Sequence, residues 1–171
     1  MAEAEEEFRD FAIAVQGHLR RSAYLLCGDW HLAEDIVQSA FVKIFRVWRR
    51  VRKMDNQLGY ARQVVYRCFL DQYRKDKRQV PVVSIAGVAE HALTESSFDG
   101  SSFDGFVLEA LAELPPKARA VIVLRFWEDM SVEQTATVLG VTTGTVKSQT
   151  SRAVAQLRGR LATALDEQAR R

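Results

Sequence analysis

Residues Ser131–Arg160 read SVEQTATVLGVTTGTVKSQTSRAVAQLRGR. Ser131 is a favourable N-cap, and Gln134 three residues on can return the bond as a capping box, so a helix is predicted from here to Leu139. Val132, Ala136 and Leu139 share one face of it. Gly140 follows, where a left-handed backbone costs least, and Val141 can fold back onto that face. Thr142 can cap a second helix, in which Val146, Thr150, Ala153, Leu157 and Leu161 recur every three or four residues as the buried stripe. The opposite face carries Thr145, Lys147, Ser148, Ser151 and Arg152, hydroxyls and cations of little bulk near the helix start. Two helices joined by a short glycine turn, the second with such a face, fit a helix-turn-helix whose second helix enters the DNA major groove. The same residues would also make two amphipathic helices of an ordinary bundle. A phosphate-binding loop in GVTTGTVKS is excluded, because it needs glycine directly before the lysine and again five residues earlier, where Val146 and Val141 stand.

Working outward, the 171 residues can hold one domain or two small ones, and the 47% hydrophobic share is enough for true cores. The net charge of +2 conceals strong segregation: residues 1–17 carry −4, residues 18–78 carry +8, residues 79–105 carry −4 and residues 106–171 carry +2. Two basic segments separated by an acidic one suit a polyanion partner, since binding depends on local counterion release. Cys27 and Cys68 stand far apart with no CxxC and no histidine pair nearby, which argues against a disulfide framework or a metal site, and no cofactor is expected. Each is expected to pack as a small hydrophobe within a helix. His18, His31 and His91 are scattered and no nucleophile sits beside a base, so no catalysis is proposed. The start MAEAEEEFRD is acidic where a signal peptide is basic, and no apolar run approaches the ~18 residues of a membrane span, which points to the cytoplasm.

Before the helix-turn-helix the periodicity is helical throughout. Phe8, Phe11, Ala12, Val15, Leu19, Ala23 and Leu26 step along a first helix that ends at Gly28, and Asp29 can cap the next. The second, from about Trp30 to Arg49, has Ala33, Ile36, Val37, Ala40, Phe41, Ile44, Phe45 and Trp48 as its stripe, and Val42 and Val47 widen its apolar surface beyond one face. Arg49, Arg50, Arg52 and Lys53 then crowd into an expected loop. A third helix, from about Gln57 to Lys75, interleaves Tyr60, Tyr66, Phe69 and Tyr73 with Arg62, Arg67 and Arg74, and Val64, Val65, Cys68 and Phe69 are its expected core. Aromatic rings beside arginines are how proteins hold unstacked bases, although such rings also fill the cores of small bundles. From Gln79 to Gly105 periodicity stops. This segment, with Pro81 and the tandem pentapeptide SSFDG at Ser96–Gly100 and Ser101–Gly105, reads as a flexible linker in which Phe98 and Phe103 could anchor. Phe106, Val107, Ala110, Leu111 and Leu114 lead to Pro115–Pro116, which ends one helix and starts another. Val121, Ile122, Leu124, Phe126 and Trp127 are expected to form the core beneath the helix-turn-helix. The expected fold is therefore all-α, with two small helical domains at 1–78 and 106–171 joined by a linker at 79–105.

Two blocks of this chain resemble a known group. GDWHLAEDIVQSAFVKIF is similar to the region 2 signature GDxxxAEDxxQxxF of extracytoplasmic-function sigma factors of the sigma-70 type, and LAELPPKARAVIVLRFWEDMSVEQTATVLGVTTGTVKSQTSRAVAQLR resembles their region 4 from end to end. The LLCGDW stretch and the overall length are similar to the actinobacterial SigE-like members. The resemblance implies that Glu34, Asp35, Gln38 and Phe41 dock on the clamp helices of the polymerase β′ subunit. It implies that Arg49, Arg50, Arg52, Asn56, Tyr60, Arg62 and Arg67 open the minus-10 element and hold a flipped base. Thr143, Thr145, Lys147, Ser148, Gln149 and Arg152 would read the minus-35 duplex, while the preceding helices meet the polymerase β flap. Core RNA polymerase and promoter DNA are thus the implied partners, and an anti-sigma factor is a further one. Gln149 replaces an arginine common in the group, Arg67 an asparagine and Thr143 a glutamate, changes that bear on which promoters are read. The residues alone also allow a stand-alone helix-turn-helix regulator that pairs on a palindrome, or a polymerase-binding protein without promoter specificity.

Overall fold

The structure, a computed structural model, describes residues 2–79 and 102–170, and every regular element among them is helical. The chain divides into two compact units, Met1–Glu95 and Ser96–Arg171. Pro81, Phe98 and the first SSFDG copy lie outside the described residues, as does the side chain of Phe103.

In the first unit α1 (Ala2–Cys27), α2 (Trp30–Arg46) and α4 (Gln57–Gln79) pack against one another, and the short α3 (Trp48–Val51) closes one end. Gly28 terminates α1 in the left-handed conformation (φ 72°), donating its N–H to the Tyr24 carbonyl, as expected for a C-terminal glycine. Asp29 then caps α2 by accepting the Leu32 N–H at 2.9 Å. Ala23, Ala33, Ala40 and Ala61 are all fully buried, and these small side chains let the helices approach closely. Leu19, Leu26, Ile44, Val51, Val65 and Tyr66 fill the space between them. The expected core of the third helix is found: Val64, Val65, Cys68 and Phe69 are buried. Burial pushes the Cys68 thiol up, with the Lys43 ammonium pulling the other way, which suits a thiol packed as a small hydrophobe.

Two features differ from expectation at the basic stretch. Helix α2 ends at Arg46 rather than Arg49, because Val47 (φ −116°, ψ 17°) breaks the ladder, and Arg49 and Arg50 lie in α3 rather than in a loop. The one-residue break turns Trp48 and Val51 together into the core, where Trp48 meets Phe8 and Phe11 at centroid distances of 5.3 and 5.1 Å. Phe45, expected in the stripe, is 47% exposed although it touches Phe8 at 5.0 Å. Asn56 starts α4: its Oδ1 accepts the Gly59 N–H at 2.8 Å and its carbonyl accepts that of Tyr60.

The second unit comprises α5 (Ser102–Ala112), α6 (Pro116–Ile122), a π-helical turn (Val123–Trp127), α7 (Val132–Leu139) and α8 (Thr143–Ala169). Helix α5 begins at Ser102, so most of the second SSFDG copy is helical rather than linker. Pro116 opens α6 from the extended Pro115, and Arg119 donates to the Ala112 and Leu114 carbonyls left over at the end of α5. The wide turn is closed by Glu128 N–H to the Val123 carbonyl. Its extra residue rotates the following side chains outward. Phe126 is 62% exposed and Trp127 is 39% exposed, so neither joins Val121, Ile122 and Leu124 in the core as expected.

The buried leucine and the exposed phenylalanine of that turn make a direct test. Leu124→Ala is expected to lower hydrogen-exchange protection of the α6 and α7 amides by about 2–5 kcal/mol, and Phe126→Ala to leave it within about 0.5 kcal/mol. At the other unit, Asn56→Ala should cost about 1 kcal/mol of protection at the Gly59 and Tyr60 amides, while Asn56→Asp, still an acceptor, should keep it.

Candidate nucleic-acid interface

The helix-turn-helix is built as its residues dictate. Ser131 Oγ accepts the Gln134 N–H at 3.1 Å and Gln134 Oε1 accepts the Ser131 N–H at 2.9 Å, completing the capping box. Gly140 sits at φ 65°, ψ 38°, and Val141 donates to the Ala136 carbonyl, which turns the chain and lays Val141 on the core. That core is Val121, Ala136 and Val146, with Val132, Leu139 and Val141 partly buried against it. Thr142 caps α8 by accepting the Thr145 N–H at 3.1 Å.

Along α8 the buried stripe is narrower than expected. Val146 and Ala153 are buried, Thr150 and Leu157 are half-buried, and Leu161 is 37% exposed, because α8 runs on past the helices it packs against. Lys147, Ser148, Ser151 and Arg152 occupy the middle of the exposed face. Thr143 is exposed at one flank of that face, while Thr145 and Gln149 are half-buried at the other. The Thr145 and Thr142 hydroxyls share a hydrogen bond at 2.9 Å, and the Ser148 hydroxyl donates to the Thr145 carbonyl, so both hydroxyls are already oriented by the first turns. Gln156 and Arg160 reach the Glu113 carbonyl and carboxylate respectively, tying α8 to the end of α5.

In the first unit the candidate residues separate into faces. Arg49, Arg50 and Arg52 are exposed together on α3 and at its end, and Arg52 pairs with Glu7 of α1 at 3.1 Å. Seven residues apart on α4, the half-buried Tyr60 and the exposed Arg67 share a side. Arg62 does not join them. Two residues beyond Tyr60, about 200° around the helix, it faces α1 with its Nη2 3.4 Å from His18 Nε2. Asn56 is exposed, but its side-chain oxygen is engaged in capping α4, a local role that the residue's position before a helical pattern could have signalled.

The residues expected on the polymerase face also divide. Glu34, Asp35 and Gln38 are exposed on α2, with Glu34 held by Arg20 at 2.6 Å. Arg20 in turn lies over the Trp30 ring, which stacks on Tyr24 at 4.0 Å. Phe41, expected on that face, is only 9% exposed: α1 begins early enough for Phe8 to cover it edge-on at 6.1 Å. Val42 is 54% exposed and supplies apolar surface on the outer side of α2. Beside Asp35 a groove of about 400 Å³ runs between α2 and α4, floored by Ile36 and Cys68 and edged by Ser39, Lys43, Asp71 and Arg74. Lys43 and Arg74 both reach Asp71, at 3.6 and 3.7 Å. Among the described residues no cluster of histidine, cysteine and carboxylate side chains is placed to hold a metal, and no helix is long and apolar enough to cross a membrane.

Comparison with known proteins matches both units. Residues 12–79 match the family described as sigma-70 region 2, and residues 107–157 that described as sigma-70, region 4. The RNA polymerase sigma-E factor of Streptomyces avermitilis is 35% identical over 156 residues, covering 91% of this chain and 85% of the relative. The extracytoplasmic-function RNA polymerase sigma factor SigE of Mycolicibacterium smegmatis is 34% identical over 146 residues, covering 83% of this chain and 56% of that relative. Among solved structures, the sigma factor RpoE of Bartonella quintana, in complex with the anti-sigma factor NepR, matches with a TM-score of 0.74 at 25% identity over 92% of this chain and 98% of that one. The two regions, in this order and on these helices, together with relatives similar over nine-tenths of the chain, establish that the protein belongs to the sigma-70 family of RNA polymerase sigma factors, in its extracytoplasmic-function group.

Proposed function

We propose that this sigma factor docks on core RNA polymerase through the outer face of α2 and grips a promoter at two points, with α8 on the minus-35 duplex and α3–α4 on the opened minus-10 strand. The observation that carries the reading is the division of α8. Val146 and Ala153 are buried on one side, and Lys147, Ser148, Ser151 and Arg152 are exposed on the other within the first three turns. A helix so mounted offers small hydroxyls and cations to base edges and phosphates. Thr143, Thr145 and Gln149 flank that surface, and Gln149, half-buried, is suited to contact a groove edge rather than its floor.

At the minus-10 side, Arg49, Arg50 and Arg52 supply charge to a backbone, while Tyr60 with Arg67 on the same side of α4 offers a ring and a guanidinium to an unstacked base. Arg62 contributes by joining α4 to α1, and Asn56 by setting the start of α4. Glu34, Asp35 and Gln38 form the polymerase-docking face with Phe41 supporting it from beneath. The protein works by binding and strand opening, without catalysis or a cofactor of its own, and in the cytoplasm where polymerase and promoter are. An anti-sigma partner fits this reading, since the similar RpoE of Bartonella quintana is held by one.

The decisive experiment is run-off transcription by core polymerase on a library of supercoiled promoters, with and without the protein. Starts that appear only with the protein are expected, and starts independent of it would sink the reading. Arg152→Ala should weaken binding to a minus-35 duplex and reduce the magnitude of its salt slope by about 0.9, one phosphate contact's share. Asp35→Ala with Gln38→Ala, both exposed, should reduce pull-down of core polymerase while leaving the helical signal in circular dichroism unchanged. Undiminished pull-down would remove these two residues from the docking face.

A further inference from the structure

The first turns of α1 carry Glu3, Glu5, Glu6 and Glu7, and of these Glu5 and Glu7 lie against the basic end of the first unit. Glu7 Oε2 is 3.1 Å from Arg52 Nη1, with both side chains more than one-third exposed. Ala4 and Glu5 share a shallow cleft with Arg46, Arg49 and Arg50. These acidic turns are held in place, since Phe8 packs on Phe45 and Trp48 at 5.0 and 5.3 Å. The aromatic contact therefore fixes a carboxylate on the same guanidinium that a nucleic-acid strand would neutralise.

We infer that the acidic start of α1 is an autoinhibitory counter-charge, in which Glu7 on Arg52, with Glu5 beside Arg49 and Arg50, competes with single-stranded DNA for this patch in the free protein. This rests on the proposed role of α3 in holding the minus-10 strand. A phosphate approaching Arg52 must displace a tethered carboxylate, and while that carboxylate holds the guanidinium the phosphate keeps its condensed cation. The patch thus discriminates against casual binding to exposed strands. It is overcome only where polymerase and the upstream contact hold the DNA in place, so that the strand too becomes an intramolecular competitor.

The test uses the full chain, a fluorescein-labelled single-stranded oligonucleotide and anisotropy titrations over a series of NaCl concentrations. Glu7→Gln should tighten binding about two- to fivefold, the range set by a partly exposed ion pair, and steepen the salt slope by about 0.7 for the one cation released. Glu5→Gln with Glu7→Gln should tighten it further. In an Arg52→Ala background the gain from Glu7→Gln should shrink to less than half, because the carboxylate acts through that guanidinium. Unchanged or weaker binding by Glu7→Gln, in a protein that retains its helical signal, would overturn the inference and make the ion pair a structural brace. Arg49→Ala with Arg50→Ala separates the two claims. If that variant binds the strand as well as the parent, the minus-10 assignment of α3 falls and takes this inference with it. If it binds more weakly while Glu7→Gln has no effect, only the inference falls.

Discussion

Val146 is fully buried against Val121 and Ala136, and what α8 can present to DNA depends on that contact. A helix can expose a coherent row of small polar side chains only if its other side is held without freedom to roll. Here the hold comes from both neighbours: α7 through the Gly140 turn, and α6 through Val121. The turn leaves no slack, because Val141 both donates to the end of α7 and packs on the core. Lys147, Ser148 and Arg152 are therefore placed by apolar packing on the opposite side of their own helix. Past Ala153 that packing thins to the half-buried Leu157, and Gln156 and Arg160 add polar ties to Glu113.

The first unit solves a different problem. It presents acidic, apolar and basic surfaces on three long helices and the short α3. Alanines at the helix contacts bring the backbones together, and the larger aliphatic side chains fill the interior. The aromatic group of Phe8, Phe11, Phe41 and Trp48 then fastens the start of α1 over the end of α2. This fastening removes Phe41 from the outer face, and it sets acidic turns beside basic ones. The ion pairs at the rim, Arg20 with Glu34 and Arg52 with Glu7, are each partly exposed and add little stability.

Local signals are legible in the sequence wherever a residue's role is confined to its own turn. Ser131 with Gln134, Gly140, Thr142, Gly28 and Asp29 all occupy the cap positions that their chemistry favours, since a cap is satisfied within three or four residues of chain. The apolar stripes hold in the middle of helices and fail at their ends. Phe45 and Leu161 follow helical spacing yet are exposed, because the spacing shows which residues share a side and not how far the neighbouring helix extends, while Phe126 and Trp127 are turned outward by the π-helical turn that contains them. Val47 and the π-helical turn at Val123–Trp127 carry no breaker residue, so nothing in their composition announced them.

Periodicity, capping residues and two family signatures were enough, by themselves, to determine two all-α domains, the helix-turn-helix at Ser131–Arg160 and membership of the sigma-70 family. These are properties of residues close in the chain, where geometry follows from 3.6 residues per turn. Only the tertiary structure decided which side chains of a candidate set stand on one surface. It set Arg62 against His18 of α1, buried Phe41 beneath Phe8 and laid Glu7 on Arg52. Each of those outcomes depends on where another helix comes to rest. That is settled by how the apolar faces of whole helices fit together, and no single stretch of sequence contains it.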